Sequence, residues 1–253
     1  MKTIRVIALK EIGTYFASPM AYVVAAAFMA ITGFFFVASV VPAFSEATIR
    51  GFLAGAVFVF IFMSPALTMR LIAEEQKLGT LELLLTSPVR EIEVVLGKFL
   101  ASFTMVLIMA ALSLYFVLVL FIFGVPDVGP ILTGYFGLLL YAAAALAVGL
   151  FASALSPNQI VGLIVGSGIL TTLTIIDFVS ERVGGTAAEV LNGLQMGASF
   201  SIFDLGSFGV AEGGHFSDFA RGILSVPDIA YYVSVTGVFL FLTVLVLEIR
   251  RWR

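Results

Sequence analysis

The chain has 253 residues, 61% of them hydrophobic and only 11% charged, with a mean hydropathy of +1.15. Soluble domains carry about 25% charged residues, so this composition excludes an ordinary soluble domain and indicates an integral membrane protein. The formal charge of -3 comes without any basic tract, which argues against nucleic acid as a partner; the absence of cysteine excludes disulfides and thiolate metal sites.

The opening, "MKTIRVIALKEIGTYFASP", places Ile4, Ile7, Ala8, Ile12, Tyr15 and Phe16 at helical spacing, interrupted by Arg5, Lys10 and Glu11. This predicts an amphipathic surface helix over residues 1–18. Ser18 then reads as a cap and Pro19 as the start of the next helix. The apolar run that follows is too long for a signal-peptide core, so the first span is expected to be retained. A span needs about 20 apolar residues. Six stretches qualify, at about 20–41, 51–72, 97–123, 131–155, 159–179 and 230–249. Backbone groups in hydrocarbon must pair within their own segment, and these runs are too long and too little alternating for barrel strands. The expected fold is therefore all-α, a polytopic membrane protein forming one transmembrane domain over residues 1–253.

Six spans put both termini on one side. Ten of the thirteen Lys and Arg fall there; Arg50, Arg182 and Arg221 fall on the other. That bias predicts cytoplasmic termini and a cytoplasmic 73–96 loop. "GSG" at 166–168 and "AAAALAVG" at 142–149 permit close helix contact. Pro65 lies inside the second span, where it is expected to kink the helix. It serves packing or a moving path.

The 73–96 loop, "AEEQKLGTLELLLTSPVREIEVVL", differs from its surroundings. Gly79 permits a sharp turn after "EEQK". "TLELLL" follows as one or two helical turns, and Ser87-Pro88 reads as a stop and restart into the third span. Leu81, Leu84 and Leu85 share a face that so short a helix cannot leave exposed. Span ends and a soluble partner are both able to cover it.

The 180–229 segment is expected on the outer face, with short helices in "AAEVLNGLQMG" and "FSDFARGILSV". It reads as an interfacial cap, or as a re-entrant, substrate-contacting lid surrounded by protein. Asp127, between Pro126 and Pro130, reads as a turn residue. Asp177 is an acid near the end of the fifth span, a candidate with Pro65 for a substrate path; Glu181 and Arg182 beside it favour an interfacial position. His215 has no histidine or cysteine partner and reads as a solvated or interfacial side chain rather than a metal ligand. There is no "GxxxxGK[ST]" loop, no "HExxH" and no nucleophile–base arrangement, so an enzyme reading is rejected. The paired intramembrane charges common in ion-coupled carriers are missing too, so another component must supply energy.

"EEQKLGTLELLLTSPVREIEVVLGKFLA" closely resembles the coupling segment of ABC type-2 transporter permeases, and the resemblance covers essentially the whole chain. "ALKEIGTYFASPMAYVV" and the tail "HFSDFARGILSVPDIAYYVSVTGVFLFLTVLVLEIRRW" are similar to the branch containing gliding-motility permeases and the permease of nitrous-oxide-reductase maturation. The resemblance implies an exporter in the cell inner membrane. Two permeases, identical or related, would pair within membrane lipid, each with a separate soluble ABC ATPase that binds the ATP and Mg. No cofactor is expected on this chain; an accessory extracytoplasmic protein is a further expected partner. By the resemblance, Glu74, Glu75, Gly79, Thr80, Leu81, Glu82, Leu83, Leu84 and Leu85 match the segment that docks on the ATPase, and Pro88 closes it. A non-transporting scaffold or force-transmitting component remains the alternative. Glu82→Lys is expected to weaken ATPase binding. The deficit should change across a salt series measured on the reconstituted complex, because exposed ion pairs are screened.

Overall fold

The computed structural model describes residues 2–40, 48–80, 89–183, 185–197 and 214–251. Those residues form nine helices and no strand: α1 (Lys2–Ala17), α2 (Pro19–Val40), α3 (Arg50–Lys77), α4 (Glu91–Phe123), α5 (Val128–Leu155), α6 (Gln159–Val183), α7 (Gly185–Asn192), α8 (Ser217–Arg221) and α9 (Val226–Arg251). Six of them, α2 to α6 and α9, are long and apolar enough to cross a membrane. These coincide with the six expected spans.

Helix ends differ from hydropathy ends. α3 continues to Lys77 and α4 begins at Glu91, beyond the apolar runs at both places. The reason is geometric. At 1.5 Å per residue, the 22 residues of α2 reach about 33 Å, close to the hydrocarbon thickness, whereas the 33 residues of α4 reach about 50 Å. The extra turns of α4 project past the apolar layer at the end of the bundle that carries most of the Lys and Arg, called the basic end below. Hydropathy marks where lipid stops; nothing there stops the backbone hydrogen bonds.

Caps explain several boundaries. Ser18 Oγ accepts from the Met20 N–H at 3.3 Å, and Pro19 opens α2 as expected. Glu93 reaches back so that its carboxylate accepts from the Arg90 N–H at 3.4 Å, one half of a capping box; arginine has no acceptor to supply the other half. Asp127, expected as a turn residue, is the N-cap of α5: its Oδ1 accepts from the Gly129 N–H at 3.0 Å.

α3 and α5 are the interior pair. They run parallel, from the opposite end toward the basic end, and both are mostly buried, while α2, α4, α6 and α9 surround them and keep large outward faces. Small residues set the spacing between the pair. A Cβ on Gly149 would stand 2.3 Å from Thr68 Oγ1 and 3.1 Å from the Pro65 Cα, so only glycine admits this approach. α1 is a separate helix whose stripe of Ile4, Ile7, Ala8, Glu11, Ile12 and Tyr15 turns toward the bundle, with Phe16 outside it. It crosses α4 where Gly97 leaves room for Ile7.

Of the two short helices, α8 forms within the sequence expected to hold it, and α7 overlaps its expected sequence but starts two residues earlier, at Gly185. α8 is pressed against α5: Phe216, Phe219 and Ala220 are buried, and Thr133 Oγ1 donates to the Phe219 carbonyl at 2.7 Å.

Gly149→Val is expected to overpack the α3–α5 contact and cost about 1–3 kcal/mol. Gly168→Ala, where an added Cβ meets nothing within 4 Å, should be close to neutral. Thermal unfolding of the two purified variants in detergent compares them directly.

Candidate functional site at the basic end

The candidate coupling segment begins on the last turn of α3. Ile72 and Ala73 are buried, Glu74 faces out, and Glu75 and Gln76 are half-buried. The helix then stops. Leu78 N–H donates to the Glu74 carbonyl at 2.9 Å, Gly79 N–H to Gln76 at 3.3 Å, and Gly79 takes φ +68, a left-handed value that glycine alone adopts without strain. Thr80 Oγ1 donates back to the Glu75 carbonyl at 3.3 Å. The turn expected at Gly79 is therefore present. Leu81, Glu82, Leu83, Leu84, Leu85 and Pro88 lie outside the described residues.

Beside this turn is a buried cation. Lys98, on the first turns of α4, is 1% exposed. Its Nζ donates to Glu75 Oε1 at 2.8 Å, to Glu11 Oε1 at 3.0 Å and to the Leu71 carbonyl at 2.6 Å. An ammonium has three hydrogens, and here each has an acceptor. Glu11 comes from α1, Glu75 and Leu71 from α3, and Lys98 from α4. One charge thus fastens three helices. Removing one partner of a buried pair is costly, about 3–5 kcal/mol, because the other charge is left uncompensated.

Gln76, the next residue, turns to the other side. Its Nε2 donates to the Ala154 carbonyl at 3.0 Å, at the end of α5. Arg250 of α9 donates to the same carbonyl at 3.1 Å and to Leu155 at 3.2 Å. These donors satisfy terminal carbonyls that a helix end otherwise leaves without partners. One turn earlier on α3, the Ile72 and Ala73 N–H groups donate to Ser153 Oγ at 3.2 and 3.1 Å, and Ser153, the residue before Ala154, donates to the Met69 carbonyl at 2.8 Å. A single hydroxyl from α5 is wedged into the backbone ladder of α3.

A cavity of about 550 Å³ opens between α1, the end of α3 and α4. Lys10, Arg70 and Lys98 line it together with Glu11, Glu74 and Glu75, three charges of each sign. At its wall the Arg70 guanidinium lies 4.5 Å from the centre of the Tyr15 ring, and Tyr15 Oη donates to the Leu67 carbonyl at 2.6 Å. Burial pushes the Tyr15 phenol well above its ordinary range, against a smaller opposing pull from Arg70. Tyr15 is therefore a neutral donor at every physiological pH. Among the described residues no group of three or more His, Cys, Asp or Glu is placed to hold a metal. The arrangement holds and orients helices; it offers no nucleophile with a base.

The remaining candidates are spread elsewhere. Pro65 is buried mid-bundle, with Gly149 of α5 on one side and Gly166 of α6 on the other. α3 continues through it as one helix. Asp177 lies on α6, and its side chain is outside the described residues. His215, read from sequence as a solvated or interfacial side chain, is bonded on both ring nitrogens: Nδ1 to Asp228 at 2.5 Å and Nε2 to the Gly193 carbonyl at 3.3 Å, with the ring stacked on Tyr231. It ties the outer segment to the start of α9.

Sequence reasoning missed Lys98, Glu11, Gln76, Ser153 and Arg250. Two signals were there. Glu11 falls on the inward stripe of α1, and Lys98 interrupts the apolar start of the third span; a charge at such a position calls for a partner.

Ser153→Ala is expected to cost about 1 kcal/mol, the usual worth of a satisfied internal hydrogen bond. It should also speed hydrogen exchange at Ile72 and Ala73 while leaving exchange in the first turns of α3 unchanged. Exchange mass spectrometry in detergent reads both.

No curated protein matches the chain. The family model described as ABC-2 family transporter protein matches residues 41–181, a stretch that starts before α3 and takes in all of α3, the candidate coupling segment, all of α4 and α5 and nearly all of α6. That is more than half of the 253 residues. Together with six apolar helices, the match shows that this multi-pass membrane chain belongs to the ABC-2 family of transporter proteins, as a permease subunit.

Proposed function

We propose that the chain is the membrane-spanning permease of an ATP-driven exporter, and that it converts ATP hydrolysis by a separate ABC ATPase into helix movement. The observation that carries this reading is the grip on the α3 end. Glu75 and Gln76 stand four and three residues before Gly79; Glu75 is held by Lys98 of α4, which also holds Glu11 of α1, and Gln76 by the Ala154 carbonyl of α5, which also accepts from Arg250 of α9. A force applied just beyond Gly79 has no slack to take up before it reaches the bundle. Such a grip is of little use to a loop that merely connects two spans.

The basic end is the cytoplasmic face in this reading, as the bias of Lys and Arg requires, in the inner membrane of the cell. The segment from Glu74 through Gly79, Thr80, Leu81, Glu82, Leu83, Leu84 and Leu85 to Pro88 docks on the ATPase, which holds the ATP and Mg. Its leucines fill an apolar groove and Glu74 and Glu82 orient it; Glu75 is turned inward to Lys98. Residues 1–253 act as one permease domain, with 1–18 as the surface helix, 73–96 as the coupling segment and 180–229 on the extracytoplasmic side. A second permease, identical or related, completes the path in the lipid bilayer, and Pro65 and Asp177 lie along the route from coupling segment to cargo. Likeness of the opening and tail supports the gliding-motility and nitrous-oxide-reductase-maturation branch, where an accessory extracytoplasmic protein would meet the outer segment. A purely force-transmitting role is the alternative; movement of cargo into or out of sealed vesicles separates the two.

Leu84→Asp is expected to leave the permease in the membrane and to abolish chain-dependent ATP hydrolysis. The measurement is hydrolysis in lipid vesicles after co-expression with the genomic-neighbour ATPase. Hydrolysis that ignores both the permease and the substitution would refute the coupling role.

A further inference from the structure

We propose that Lys98 and Gln76 are positioning residues that divide the displacement of the coupling segment between two separate groups of helices. This rests on the coupling role proposed above. Glu75 and Gln76 are consecutive, yet their side chains leave α3 on opposite sides. Glu75 joins Lys98, which also holds Glu11, so this branch leads to α4 and α1. Gln76 joins the Ala154 carbonyl, which also accepts from Arg250, so the other branch leads to α5 and α9.

The two branches differ in physical kind. The Lys98 branch is ionic, buried and fully satisfied at the ammonium, so it resists stretching: any separation of α3 from α4 leaves buried charge without a partner. The Gln76 branch is a neutral amide on a carbonyl that keeps a second donor, Arg250. When Gln76 lets go, that carbonyl remains bonded, so the branch releases at low cost. Ser153 ties α5 to α3 as far as Ala73, so it follows that the last turn of α3 moves with α4 and α1 while it slips against the ends of α5 and α9. The stiff side carries the stroke, and the slipping side lets the last turn of α3 shift past the ends of α5 and α9 while the seam below it stays closed.

Spin-label distances test this. The chain has no cysteine, so label pairs are introduced cleanly. Lys77 with Leu9 reads the α3–α1 separation, and Lys77 with Ile249 reads α3–α9; all three side chains are exposed. Labelled permease is reconstituted with its ATPase in lipid nanodiscs and measured without nucleotide and with ATP plus vanadate. In the wild type the Lys77–Leu9 distance should stay fixed through the cycle and the Lys77–Ile249 distance should shift. Lys98→Met should broaden the first distribution and leave the second unbroadened, with loss of chain-dependent hydrolysis. Lys98→Arg should restore both. Gln76→Leu should broaden only the second. The charge-free Glu11→Gln, Glu75→Gln, Lys98→Met variant removes the buried acids, so it still reads the joint if Lys98→Met alone does not fold; it too should broaden only the first. Equal broadening of both pairs by either variant, or of neither pair, would overturn the proposal, as would a Lys77–Leu9 distance that changes with nucleotide in the wild type. If the wild-type permease stimulates no hydrolysis at all, the coupling role fails by itself, and the nucleotide-free distributions still decide whether the two branches are separate.

Discussion

The parallel contact of α3 with α5 is the constraint on which the rest of the molecule depends. Apolar side chains gain little from leaving lipid for protein, so two spans hold together only if they come close enough for dispersion and polar contacts to act. Gly149 permits that approach beside Pro65 and Thr68. Ser153 lies one turn further along the same face of α5, and only because the helices are already close does its hydroxyl reach three backbone groups of α3. Gln76 meets Ala154 in the next step of the same register. Small residue, hydroxyl and amide follow in order toward the basic end, each placed by the one before. The outer helices then pack on a pair whose relative height is already set.

A polar cluster at the rim of an apolar bundle also has a specific role. Deep in hydrocarbon, Lys98 with two carboxylates would be very costly; at the first turns of a helix that projects past the lipid, the cost is smaller and the directional gain remains. The cluster orders α1, which has few other ways to choose a position along the bundle surface. Greasy stripes slide, whereas an ammonium with three acceptors does not. The mixed lining of the neighbouring cavity, three cations and three anions, keeps this rim close to neutral. Orientation is thereby obtained without a strong field that would attract or repel ions at large.

Much of the architecture was legible in the sequence because the bilayer imposes a single strong rule. Runs of about 20 apolar residues become helices, and all six appear where the runs lie. The Ser18-Pro19 start, the turn at Gly79 and the two short outer helices were legible for local reasons, since capping and backbone freedom act over a few residues. What escaped was tertiary. Glu11 and Lys98 are 87 residues apart, and Gln76 and Ala154 are 78 apart, so no local pattern joins them. Flanking prolines make Asp127 read as a turn residue; capping and turning use the same short carboxylate, and only the backbone direction after it tells them apart. The His215 environment was hidden for a similar reason, since its partner Asp228 belongs to the next helix.

The order in which these groups occur along the chain bears on how the protein is made. Glu11 and Glu75 both precede Lys98, and Ala154 precedes Arg250 by 96 residues. Synthesis runs from the N-terminus, so the surface helix and the first two spans leave the ribosome before the cation that fixes them exists. Until α4 emerges, both acids remain hydrated at the membrane edge and α1 has no fixed seat. The lysine then arrives as a clasp closing over segments already inserted, and the arginine of the last span closes the second side. Assembly of the basic end is therefore a late event in biogenesis, and a chain halted before its third span lacks the lysine that joins α1 to α3.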